Sequence, residues 1–197
     1  FLGRIGAFII DNKLGDGSGA GERAVISSQN WVTGLSARNP WQTRLIAASL
    51  RNPSQLELLA GTDVYTMPPK VAAHGRKELP GVFTSRLHEN YDVNLFSSAA
   101  DARIEKFWEV DDNVLKLAER LAAKLPASGQ ELIHIAHDEG CGDLFPFMNK
   151  EEKSFIKSDG KIPVYSRWAS RISKGELAPD TLLTLAGLAS FTSDQEM

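Results

Sequence analysis

The chain has 197 residues, of which 42% are hydrophobic, and a net charge of −3 at neutral pH. This balance suits one soluble core and excludes a chain that is basic throughout, while leaving room for a local basic patch. The single cysteine excludes an internal disulfide, and no apolar run is long enough to span a bilayer.

Residues 1–10 are apolar but lack the charged start and small-residue cleavage site of a signal peptide, so an intracellular, cytoplasmic location is expected. The chain begins without Met, which fits a processed product or part of something longer. Residues 2–10 read as a strand, with Ile5, Ala7 and Ile9 on one face. Gly15, Gly17, Gly19 and Gly21 then stand at alternate positions. A helix holds so many glycines only at high entropic cost, so residues 13–22 are expected to form a flexible loop. Residues 23–27 would pair back as a second strand.

Residues 31–40 read as irregular. Asn39 or Pro40 opens an expected helix through Arg51, with Trp41, Leu45 and Ala48 on one face. Residues 52–54 break it, and 55–60 add a further turn or two. Pro68, Pro69, Gly75, Pro80 and Gly81 punctuate an irregular segment over 61–94. Ser97 or Ser98 caps a helix containing Ile104, Phe107 and Trp108, which kinks or breaks at Asp111.

The clearest stretch follows. Asp111 or Asp112 can cap a helix whose Val114, Leu117, Ala118, Leu121 and Leu125 make one apolar stripe. Asn113, Lys116, Arg120 and Lys124 point the other way, and Pro126 ends the helix. Leu132, Ile133 and Ile135 form a short apolar run that reads as a strand, with a short helix as the competing reading. Residues 145–148 are apolar and extended, and 150–157 supply one or two helical turns. Residues 162–165 read as a strand and 166–174 as a short helix. Pro179 suits a first helical position. Leu182, Leu183, Leu185, Leu188 and Phe191 spread around most of the helix that follows, so it is expected to bury itself in this core or against a second copy. The tail over 192–197 is polar. The fold class expected is α+β: one helix-rich domain over 1–197 with a small sheet that includes the Leu132 strand.

No diagnostic motif is present, and each candidate site competes with a plainer reading. The glycine loop has Gly17-x-Gly19 but Glu22 where a dinucleotide fingerprint needs its third glycine. No helix is expected behind it either, so a hairpin loop is the better reading. His134, His137 and Cys141 resemble metal ligands in type. On a strand, however, the two histidines face opposite ways, and a second ligand pair is missing. Asp138, Glu139 and Asp143 do not have the spacing of a calcium loop. Cys141 as a nucleophile needs a base, for which His137, His74 and His88 are candidates, and the three acids beside it oppose a thiolate.

The strongest candidate runs from Lys161 to Lys174. If 166 onward is helical, Arg167, Arg171 and Lys174 fall on one stripe, with Tyr165 and Trp168 beside it for stacking and Lys161 just before. The plainer alternative is a solvated helix face. The leading functional expectation is therefore a non-catalytic binding or assembly protein that contacts RNA or single-stranded nucleic acid through this face. It would self-associate through the 179–191 helix, with no metal, cofactor or membrane. The alternative is an intracellular enzyme with Cys141 as nucleophile and a histidine as base.

Overall fold

The computed structural model describes residues 2–37 and 43–195. The chain forms two compact units, Phe1–Leu95 and Phe96–Met197. Among the described residues the protein is helix-rich with one small two-stranded parallel sheet. No helix among them is long and apolar enough to cross a membrane.

The first unit opens with α1 (Leu2–Asp11) and α2 (Ala20–Ser36), which pack on each other. Both correct the strands expected over 2–10 and 23–27. Leu2, Ile5, Phe8 and Ile9 are the buried residues of α1, spaced at a helical period that the alternation of Ile5, Ala7 and Ile9 masks. Trp31 to Ser36, expected to be irregular, lie in α2. The helix expected from Asn39 or Pro40 begins outside the described residues. Its later part is instead irregular around β1 (Ile46–Ala47). After α3 (Ser54–Leu58), β2 (Val64–Tyr65) pairs parallel with β1, Ile46 opposite Val64 and Ala47 opposite Tyr65. The segment over 61–94 is thus less irregular than expected, for it also holds α4 (Pro69–Glu78), which starts on proline as a first turn permits.

Leu2, Ile26, Ala47, Leu50 and Leu59 form a buried cluster of this unit, with Tyr65 and Tyr91 packed against it. Both tyrosines also tie down a helix end, since Tyr65 Oη donates to Leu59 O at 2.7 Å and Tyr91 Oη to Leu58 O at 2.6 Å. Each fully buried aliphatic side chain of this kind contributes about 1.5–3 kcal/mol.

The glycine-rich stretch is not loop throughout. Its last residues enter α2, and the turn before them is pressed against the backbone of residues 91–95. A Cβ at Gly15 would lie 2.3 Å from Asn94 O, and one at Gly19 would lie 2.4 Å from Asp92 O. Gly19 also has a φ of 74°, a region that L residues with side chains avoid. The glycines therefore serve close backbone approach. A helix does stand behind them, against expectation, but Asp16 Oδ1 accepts from Ser18 N at 2.9 Å. A carboxylate of the chain itself thus occupies the turn.

The second unit is built from 3-10 turns at Ser97–Ala99 and Ile104–Phe107, followed by α5 (Asp112–Ala123), α6 (Gly129–Asp138), α7 (Lys150–Asp159), α8 (Tyr165–Ser173) and α9 (Pro179–Gln195). The two turns replace the single helix expected over Ile104, Phe107 and Trp108. The stripe expected on α5 exists: Leu117 is buried beside Ala136 and Cys141, with Val114 and Leu121 packed against them. Leu125 is 80% exposed and lies beyond the helix. Asp111 stands at the N-cap position without capping through its side chain, because its carboxylate pairs with Lys106.

The strand expected at Leu132 is α6, so that run contributes nothing to the sheet. Ser128 caps it, accepting from Glu131 N at 3.1 Å, while Glu131 reaches back to Ala127 N at 2.6 Å. A serine followed three residues later by a glutamate is a helix-start signature. Here it outweighs the β-propensity of Ile133 and Ile135. The strand expected over 162–165 is an irregular connection whose last residue opens α8.

Candidate polyanion-binding face

The face begins with α7. Asn149 and Glu152 close a reciprocal capping box, with Glu152 N donating to Asn149 Oδ1 at 2.9 Å and Asn149 N to Glu152 Oε2 at 2.8 Å. Lys150, Lys153 and Lys157 lie on one stripe of this helix, all exposed, while Ile156 is buried. Gly160, at a φ of 71°, turns the chain out of α7. Asp159 Oδ2 then accepts from Val164 N at 3.1 Å, which sets the start of α8.

On α8 the spacing holds: Arg167, Arg171 and Lys174 follow one stripe, with Lys174 as the residue closing the helix. What each cation does differs. Arg167 pairs with Asp159 and lies over the Phe155 ring, 5.1 Å from its centroid. Arg171 is a structural hub. It meets Glu152 Oε1 at 2.7 Å and Glu176 Oε2 at 3.6 Å, and donates to Phe147 O at 3.2 Å and Glu176 O at 3.3 Å. Lys174 is exposed and makes no ion pair among the described residues. Lys161, 59% exposed, meets Asp194 at the long distance of 4.0 Å.

Trp168 is only 2% exposed and sits with Ile172 in the core. A ring without exposed faces cannot stack on a base, which removes Trp168 from the face. Tyr165 is half-buried, and burial followed by the charge of Asp101 pushes its phenol up from the ordinary value. An aromatic ring that α7 does present is Phe155, 37% exposed beneath Arg167. Its position beside Ile156, off the buried stripe of α7, is the signal in the sequence that points to it.

The cysteine and histidine candidates arrange differently. On α6, His134 and His137 share a face, contrary to the strand argument, and both rings lie against Phe147, with centroids 5.5 and 4.5 Å away. Among the described residues no group of three or more His, Cys, Asp or Glu is placed to hold a metal ion. Cys141 is 2% exposed. Burial, then Asp143, Asp111 and Glu139, push its thiol up, the direction opposite to an activated nucleophile. His74 and His88 lie in the other unit, where His88 is well exposed and meets Glu89 at 3.4 Å.

No protein-family model, curated protein or solved structure matches this chain, so the functional reading rests on this geometry.

Proposed function

We propose that the protein is a non-catalytic binding or assembly protein whose α7–α8 face contacts a polyanion, RNA or single-stranded nucleic acid, through its phosphates. One observation carries the reading. Residues 150–174 hold seven Lys or Arg against three acids, in a chain whose overall charge is −3. Two of those acids are drawn inward: the Asp159 side chain is 2% exposed and that of Glu152 19%. The lysines at 150, 153, 157, 161 and 174 are exposed. The outward field of this region is therefore positive, which is the electrostatic footprint of phosphate contact. Phe155 offers an apolar ring for a splayed base.

Fluorescence anisotropy with a labelled single-stranded oligonucleotide, read across a salt series, tests this. Removing one phosphate-binding cation should flatten the slope of log affinity against log salt by about 0.7. The variants are Lys150→Glu, Lys153→Glu, Lys161→Glu and Lys174→Glu. Arg167 and Arg171 are left alone because they hold α8 to α7. Wild-type protein that shows no salt-dependent binding at low ionic strength overturns the reading. Self-association would run through the outer end of α9, where Leu188 and Phe191 are 59% and 56% exposed. A size measurement in solution with Phe191→Ser alongside tests that part.

A further inference from the structure

The first turn of α9 carries an acid that the fold leaves incompletely bonded. Asp180 is the second residue of α9 and is half-buried. Its Oδ1 is buried and has no hydrogen-bond partner among the described residues. The backbone around it is fixed. Ala178 N donates to Asp143 O at 3.0 Å, and Thr181 Oγ1 donates to Leu144 O at 3.2 Å, so the start of α9 is docked on the turn over 143–144.

The charges that act on this carboxyl come from that turn and from the Ile104–Phe107 turn. Asp143 is a like charge, itself paired with Arg103 at 3.0 Å, and Lys106 is an opposite charge already paired with Asp111. From α7, which also packs on α9, Glu152 and Asp159 are directed at α8, while Glu151, Lys150, Lys153 and Lys157 are exposed. A buried carboxylate oxygen with no donor, beside a second carboxylate, is costly as an anion and much cheaper as a neutral acid.

We propose that Asp180 is a proton-binding switch at the start of α9: as a neutral acid it lets the first turn dock on the 143–144 segment, and as a carboxylate it loosens that docking. Burial first, and the Asp143 charge as well, hold its titration above the ordinary aspartate value, against the opposing pull of the first-turn backbone N–H groups and Lys106. The folded state therefore binds more protons than the unfolded state between the ordinary aspartate value and the raised one. The stability this proton provides is complete below the unfolded value, falls as pH rises through that window, and is gone above the folded value.

Two measurements on the full chain test the switch. In the first, denaturant unfolding is followed over a pH series for wild type and Asp180→Asn, which is neutral at every pH and keeps a side-chain oxygen at the helix start. The wild-type unfolding constant should rise with pH, by up to about tenfold per pH unit for one proton, across a window where Asp180→Asn is flat. In the second, the side-chain carboxyl carbons of folded wild-type protein are titrated by NMR, with Asp180 assigned through its backbone. Asp180 should titrate above the ordinary aspartate range. A normal or lowered titration of Asp180, or a wild-type slope retained in Asp180→Asn, overturns the proposal. The NMR titration decides alone if the variant does not fold.

Discussion

Asp63 in the first unit and Asp180 in the second are treated in opposite ways by their surroundings. Asp63 is exposed and well supplied with donors: its Oδ2 accepts from Leu45 N and from Gln29 Nε2, both at 2.9 Å. Gln29, 2% exposed, completes the network by accepting from Asp63 N at 3.1 Å and donating to Thr33 at 3.1 Å. These bonds, that from Leu45 foremost, hold the Asp63 carboxyl below its ordinary value. Asp180 has a buried oxygen without a donor among the described residues and is held above its ordinary value. Hydrogen-bond supply relative to burial, more than residue type, sets the direction in which an acid couples to folding.

The largest effect should come from breaking the complete network. Gln29→Ala removes a buried amide that bonds Asp63 through both its side chain and its backbone and also bonds Thr33. A loss of about 2–3 kcal/mol in denaturant unfolding is expected. The incomplete site should respond with the opposite sign. At neutral pH, Asp180→Asn should stabilise the protein by about 1 kcal/mol, an advantage that vanishes below the ordinary aspartate range where both forms are neutral.

On the acid side Asp63 should dominate the contrast. A lowered folded value means that its contribution is present above the unfolded value and lost as pH falls through the folded one. Asp63→Asn should therefore blunt acid unfolding while leaving in place the slope that Asp180 gives above the ordinary aspartate value, as a paired pH series would show. The smallest effects belong to the exposed cations. Lys153→Ala and Lys174→Ala should change stability by less than about 0.5 kcal/mol while lowering oligonucleotide affinity, which separates charge that binds from charge that folds. Cys141 should react slowly with a mild alkylating reagent in the native protein, since its thiol is buried and pushed up.

Elements whose apolar residues repeat at a helical period are legible in the sequence. Leu117 and Leu121 mark α5, Trp168 and Ile172 mark α8, and Pro179 with the leucines after it marks α9. Misreadings arise where local composition and periodicity disagree. Isoleucines in α1 and α6 suggest strands, although Ser128 and Glu131 already spell a helix start. Glycines before α2 suggest flexibility, because the backbone they approach, at 91–95, is remote in sequence. The site divides the same way. The stripe of Arg167, Arg171 and Lys174 follows from spacing alone. That Arg171 is engaged by Glu152 and Glu176 depends on acids outside the segment, and that Trp168 faces inward depends on which side of α8 meets the core.

The pressed turn at Gly15 has a consequence for the order of folding. Gly15 bridges Leu95, Asp16 N donates to Asn94 O at 3.2 Å, and Asn94 Nδ2 donates to Asp16 Oδ2 at 3.0 Å. These bonds join the two ends of the first unit. The α1–α2 hairpin can form from neighbours in the chain, whereas this seam must wait for everything between to collapse. Closing so long a loop costs only logarithmically more entropy than closing a short one, but the closure is gained late. Gly15→Ala, which drives a methyl into Asn94 O, should therefore leave the refolding rate nearly unchanged and appear almost wholly as faster unfolding.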